Sequence, residues 1–547
     1  MIQKIGVEEN VNSINISAKK HKNDNPNFKG VGAAFSLLQA CEKMPMVNVA
    51  VIDMLSAILP RTIVESMTNV FAGFEAFRRE SSGLIVNCMT PGIISMGVAA
   101  LLNKHIMSDG AKMSTCLADS SLIENATKLY KTSTSNDKMR DALRELFENI
   151  EGYDGTQKVK FKNVLSKKEI NEYISKYREI AKKDLKRKEL EKEIDKISQE
   201  IAQKTHIYEN LNIANKAGHV EASNITSLMK DSIKYFSEFE KANTKNPKLL
   251  IEDFAKQSKK LVKGKTIGGF LIVLPLAASM QFINRWITNK VSGVEGAPIY
   301  EDYAKDNATY DKNAKDGLAK QKLISIASML AVGFLSMMKI PKWNMFEFKG
   351  IFPSMDQARL ISTTTFASRM AAADDKNELR EATIRDIATF ISLYFLGDYA
   401  AKGAATIFEK VEKKKGNEIH LLNDTKVIDK NTNGFKKFWH WFKDVKLKSS
   451  EEVISISKTA KELESKGLTP NKEQAEKIAK ELAKGKNLRS ACQVANLGVS
   501  LLLLGLVIPI FTRRSTKKKH AEAIRIAQEN SSSGTDMGKQ KATTQVA

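Results

Sequence analysis

A chain of 547 residues has room for several domains, and this one carries a net charge of +23, mostly from lysine. Its basic residues are interleaved with Glu and Asp, and no helix–turn–helix, RNP or zinc-finger pattern accompanies them, which argues against a nucleic-acid partner. Four cysteines without a CxxC pair and seven scattered histidines point to neither disulfides nor a metal. No GxxxxGK[ST] loop, GxGxxG turn or GxSxG elbow is present, so neither a cofactor nor a catalytic residue is indicated.

Residues 1–28 are polar and Asn-rich, lack the apolar core of a signal peptide, and end in the turn Asn25-Pro26-Asn27. They read as a disordered tail that stays in the cytoplasm. A first membrane region spans 29–114. Within it, 44–79 reads as a marginal hairpin, because Asp53 interrupts the apolar run and Phe71, Phe74 and Phe77 recur at steps of three. Asp53, Glu75 and Arg78 are charges amid apolar residues. Facing a bundle interior they would line a polar pathway; at the interface they would be the wet side of amphipathic helices. Residues 81–103 follow without a charge, with Pro91-Gly92 near the middle, and are long enough to cross a ~30 Å hydrocarbon core.

Residues 115–265 form a polar insertion. Ile170, Ile174, Tyr177 and Ala181, then Leu190, Ile194, Ile197 and Ile201, repeat a 4-3-4 spacing. These coiled-coil-like runs are under two heptads each, so they predict an antiparallel helical hairpin turning near 215–224. Residues 160–262 would offer a surface to a protein partner. The second membrane region, 266–408, holds a span at 266–284 with Gly268-Gly269 and Pro275, then a shorter stretch at 323–338. Trp343 marks where that stretch emerges among headgroups. A weaker candidate span at 387–408 contains Asp398 and Lys402 at i,i+4. A charge at the bilayer centre costs ~3 kcal/mol upward, so a mutually neutralising pair there is the sharpest functional candidate. At a wet surface the same pair would be ordinary.

Residues 409–489 are polar and helical. In this region Phe435, Phe438, Trp439 and Phe442 fall at i, i+3, i+4 and i+7, with Lys436, Lys437 and Lys443 off that face. That composition predicts a helix resting among anionic headgroups, against the alternative of a core aromatic cluster. The span 490–512 is apolar all round, and 513–547 is a basic disordered tail.

The sequence therefore predicts an all-α fold: a polytopic helical membrane protein with a large polar, hairpin-like helical insertion and disordered termini. It places the protein in the cell's inner or plasma membrane with the lipid bilayer as partner and both termini cytoplasmic. Two functions fit. One is a non-enzymatic membrane-anchored organiser or tether of partners. The alternative is a transporter or channel using Asp398 and Lys402. A transporter packs its spans around a polar interior; a tether has few, loosely packed spans and an extended arm.

Overall fold

The computed structural model describes Leu38 and residues 45–67, 70–153, 158–183, 185, 187–292, 317–337, 343–350, 352–373, 376–424, 432–450 and 452–512. It also describes Arg514, Ser515, Lys518, Ala521, Glu522 and Arg525. The expected tails 1–28 and 529–547, and most of the loop 285–320, lie outside these residues. Among the described residues the chain is mostly helical, and five helices there are long and apolar enough to cross a membrane.

Helix α1 is Met46–Ser66 and α2 runs through Gly73–Ile106; both qualify as spans. The expected marginal hairpin 44–79 is thus one full apolar helix plus the start of another. Each helix widens into a π turn, Met54–Ile58 in α1 and Ile85–Met89 in α2. The cause is Pro60 and Pro91, which cannot donate to the residues four before them, Ser56 and Asn87, so the backbone bulges there.

The insertion is a folded α+β unit. It comprises α3 (Ser120–Thr132), α4 (Lys138–Glu148), β1 (Ile150–Tyr153), β2 (Lys158–Lys160), α5 (Phe161–Val164), α6 (Lys167–Lys182) and α7 (Arg187–Thr205). A β-hairpin of β3 (Glu209–Asn215) and β4 (Gly218–Asn224) follows, then α8 (Ile225–Lys245). The antiparallel sheet order is β2-β1-β3-β4. The predicted helical hairpin turning near 215–224 is therefore corrected: that turn belongs to β3–β4, where Asn215 faces Gly218. The signal was period two, since Leu211 and Ile213, then Val220, alternate with polar neighbours and are buried. The short heptad runs do not form a coiled coil. Ile170, Ile174, Tyr177, Ile194 and Ile201 enter one core that extends from Met107 to Val262.

Helix α9, Ile251–Ser292, carries the chain from that core into the bundle without a break. Next come α10 (Leu318–Ser336), α11 (Met355–Ala371) and α12, which joins Lys376–Ile391 to Gly397–Lys414 through a π turn. A small polar layer follows: β5 (Glu418–His420), β6 (Leu422–Asp424), α13 (Gly434–Lys443), β7 (Val445–Leu447), β8 (Ile454–Ile456) and α14 (Lys458–Ser465). Strand β5 pairs with β8 and β6 with β7. Helix α15 begins at Lys472 and continues to Thr512 through a third proline-linked π turn, Leu501–Val507 before Pro509. The five candidate spans are α1, α2, α9, α10 and α15; the weaker candidate 387–408, inside α12, is not among them.

Side-chain contacts order seven helices alternately up and down. Glycines 264, 268 and 269 of α9 meet Leu102, Val98 and Ser95 of α2, while Asn284 meets Ser82, so these two are antiparallel. Lys322 donates to the Ala371 carbonyl and Gly333 abuts Thr363, so α10 opposes α11. Ser362 meets Tyr394 and Arg369 meets Asp386, so α12 opposes α11. Asn496 meets Asp398 and Lys484 meets Glu412, so α15 opposes α12.

Candidate functional site: a polar seam along α11

Helix α11 has the wrong composition for a span, yet it sits at the centre of the bundle. Its sequence includes Ser362-Thr363-Thr364-Thr365, and Ser354 with Gln357 closes a capping box at its start. Ser362, Thr363, Thr365, Ser368 and Arg369 are all buried. Each hydroxyl finds an acceptor or donor, which removes the cost of burying it. The Ser362 hydroxyl lies 2.9 Å from the Tyr394 hydroxyl of α12, and Thr365 donates to the Asn87 side chain of α2 at 2.9 Å. Asn87 is the residue four before Pro91, within the π turn. Gly333 gives α10 its close approach, because a Cβ there would overlap Thr363.

At one end the seam closes in an ion network. Glu80 Oε1 lies 3.3 Å from both Arg61 and Arg79, and Glu80 Oε2 lies 3.2 Å from Arg369. Arg369 continues to Asp386 at 3.3 Å, and Asp386 to Arg385 at 3.2 Å. Arg61 also donates to Thr389 at 2.6 Å and to the Leu504 carbonyl at 3.3 Å. The network thereby ties α1, α2, α11, α12 and α15 together. Asp386 is fully buried, and its Oδ2 has no hydrogen-bond partner among the described residues. Four guanidinium groups around two carboxylates leave an excess of buried positive charge, with Glu381 at 4.0 Å from Arg385 offsetting part of it.

The residues expected from the sequence distribute around this seam. Arg78 bonds Asn284 through its side chain (3.2 Å) and carbonyl (2.7 Å), and also Thr288, pinning α2 to α9. Glu75 is buried beside Arg78 and Arg79. Asp53 is half-buried within electrostatic reach of Glu80, Arg61 and Arg369. The expected Asp398–Lys402 pair is corrected, because each side chain has other partners. Asp398 lies 3.5 Å from Asn496 of α15, which crosses tightly at Gly397. Lys402 instead donates to the Phe442 carbonyl at 3.2 Å and sits over the Trp441 ring at 4.5 Å. Two helices approach the same face of α12 from different sides, so sequence spacing alone could not pair the charges.

The aromatic stripe divides. Phe442 stacks on Tyr399 at 4.4 Å, while Phe435, Phe438 and Trp439 are 71%, 55% and 52% exposed. Trp343 is also exposed, next to Phe346 and Phe348, which pack on Phe270 of α9.

Where the insertion meets the bundle, a cleft of about 760 Å³ opens between β4 and the segment leading into α11. Asp119, Asp231, Lys349 and Lys446 line it. Lys349 pairs with Asp119 at 2.5 Å, and Ser120 donates to Glu347, so the insertion is docked. Burial pushes the Asp231 carboxyl up to about 6, against the pull of Lys230 and an amide bond from Leu117. The folded state therefore holds this proton to higher pH than the unfolded state. The resulting stability is complete below about pH 4 and is lost as pH rises through about 6. Asp231→Asn keeps an acceptor for Leu117 and removes the charge. It should raise the thermal midpoint of the insertion in the purified full chain at pH 7.5, by an effect worth about 1–3 kcal/mol, and change little at pH 4. Equal shifts at both pH values would show that the carboxylate is not penalised by burial.

Among the described residues no group of three His, Cys, Asp or Glu side chains is placed to hold a metal ion. Sequence reasoning missed Arg369, Asp386 and Thr365, because 355–371 is not apolar and 368–386 resembles a solvated charged helix. No protein-family model, curated protein or solved structure matches this chain.

Proposed function

We propose that this protein is a multi-pass membrane protein of the transport or channel class, with the seam along α11 as its polar route. The supporting observation is the burial of α11, with its Ser/Thr run and Arg369, among apolar spans. Ionisable side chains inside a membrane bundle are costly and mark solute or ion pathways. The route would use Arg369, Asp386 and Glu80, replacing the Asp398–Lys402 pair as the central charges. The second reading, a non-enzymatic organiser that tethers partners, rests on the insertion, which has its own core and presents a polar surface.

The alternation of seven helices puts the insertion and residue 45 at one end of the bundle and residue 512 at the other. Residues 45 and 512 then lie on opposite sides of the membrane, in place of a topology with both termini cytoplasmic. Reconstitution into liposomes with trapped pH- and chloride-sensitive dyes tests the route. Flux above protein-free liposomes, reduced by Asp386→Leu, is expected; indistinguishable traces with both dyes would reject small-ion passage. In the same vesicles, a membrane-impermeant thiol reagent should label Thr134→Cys and Ala521→Cys from opposite sides. Labelling from one side would refute the seven-helix order.

A further inference from the structure

Helix α13 combines an unfilled aromatic face with a fixed height in the bundle. Its inner face is anchored on α12: the Phe442 carbonyl accepts from Lys402, Phe442 stacks on Tyr399, and Trp441 Nε1 donates to Thr406 at 3.2 Å. His440 is buried and lies 3.2 Å from Asp444. Phe435, Phe438 and Trp439 continue outward from that anchored edge, with Phe438 and Trp439 stacked on Phe442 at 6.2 and 5.7 Å; all three are more than half exposed, with exposed Lys436 and Lys443 on one flank and exposed Lys437 on the far side of the helix. Asn433 caps the helix start and accepts from the Phe435 amide, so the aromatic face is presented by a formed helix.

The height follows from the packing of α12 on α15. Ala401 and Ala405 share a core cluster with Leu488 and Cys492. Lys402 and Thr406 are therefore level with Arg489, where the uncharged stretch 490–512 begins. A helix clamped at that level lies at the boundary between hydrocarbon and headgroups, with its axis set by the Tyr399, Lys402 and Thr406 contacts.

We propose that α13 is an in-plane docking helix for anionic lipid. Phe435, Phe438 and Trp439 enter the acyl boundary, and Lys436, Lys437 and Lys443 meet phosphate-bearing headgroups. Charge complementarity selects anionic lipid over a protein surface, because exposed Lys436 and Lys443 border the aromatic face while Asp444 is turned to His440. A docked α13 would couple the headgroup charge of the leaflet it meets to α12 through Lys402. This inference rests on the bundle lying in a bilayer.

The test uses the full chain in nanodiscs, with a nitroxide on Phe438→Cys and, as a separate control, on Leu502→Cys, an outward-facing position of α15. Depth is read from collision with oxygen against a water-soluble nickel chelate. In discs containing phosphatidylglycerol the Phe438 label should read as lipid-buried. In phosphatidylcholine discs, or with Lys436, Lys437 and Lys443 all changed to Gln, it should read several-fold more accessible to nickel. Raising salt from about 0.05 M to about 0.5 M should have the same effect, because the lysine contribution is screened. A water-exposed Phe438 label beside a lipid-buried Leu502 label overturns the proposal and leaves the membrane reading standing. Equal burial in both lipids overturns the anionic preference. A water-exposed Leu502 label rejects the embedded bundle, and the docking helix with it.

Discussion

A fragment covering residues 107–262 is expected to fold as a soluble domain, and one covering 160–262 is expected to fail. The insertion has one core, and its N-terminal elements supply much of it. Met139, Leu143, Leu146, Phe147 and Ile150 of the α4–β1 segment are fully buried. Phe147 lies 5.0 Å from Phe161 and 6.3–6.4 Å from Tyr173 and Tyr177, ring centre to ring centre. β1 also pairs with β3, so cutting at 160 leaves the β3–β4 hairpin with an open edge. Removing a single buried Leu or Phe costs about 2–5 kcal/mol, and a domain is stable by only about 5–15 kcal/mol, so losing these five residues costs as much as the whole stability of a typical domain. Circular dichroism and a thermal melt separate the outcomes. The longer fragment should melt cooperatively with strong helical signal, and the shorter should give no cooperative transition. A cooperative melt from 160–262 would refute a single shared core.

The second large effect belongs to Glu80. Its carboxylate meets Arg61, Arg79 and Arg369, so Glu80→Ala leaves three guanidinium groups without their common partner. Breaking one buried pair costs about 3–5 kcal/mol, chiefly because the surviving charge stays desolvated. Glu80→Ala should therefore sharply lower accumulation in membranes and the melting temperature of purified protein. Lys131→Ala serves as a contrast. Lys131 pairs with Glu252 on the surface of the insertion, where an exposed pair contributes about 0–1 kcal/mol. Arg369→Ala added to Glu80→Ala should cost less than the two single losses summed, because neighbours in one network couple by about 0.5–3 kcal/mol. Strict additivity, or a Glu80→Ala protein as stable as the parent, would show that the network is solvated.

Much of the bundle was legible because an apolar helix of bilayer length advertises itself locally. The stretches 81–103, 266–284 and 490–512 each fall inside one continuous helix, and each needs only its own residues to be recognised. The insertion was harder. Its helices were readable from their apolar stripes, but β1 and β2 are three or four residues long, and β3–β4 carried only a faint period of two within a polar region.

The amino-acid sequence by itself determined that this protein is helical, that it carries apolar helices of bilayer length, and where its chain turns polar. Those properties depend on hydrophobicity and hydrogen bonding within a single segment. Tertiary structure alone decided which charges meet. Asp398 and Lys402 are neighbours in the chain and take different partners, while Glu80, Arg369 and Asp386 come from three helices and share one network. It also decided that α11 is interior, since a Ser/Thr-rich helix is stable there only when surrounding helices complete its hydrogen bonds. A buried polar group is tolerated according to its partners, and partners from distant segments are not written in any one stretch of sequence.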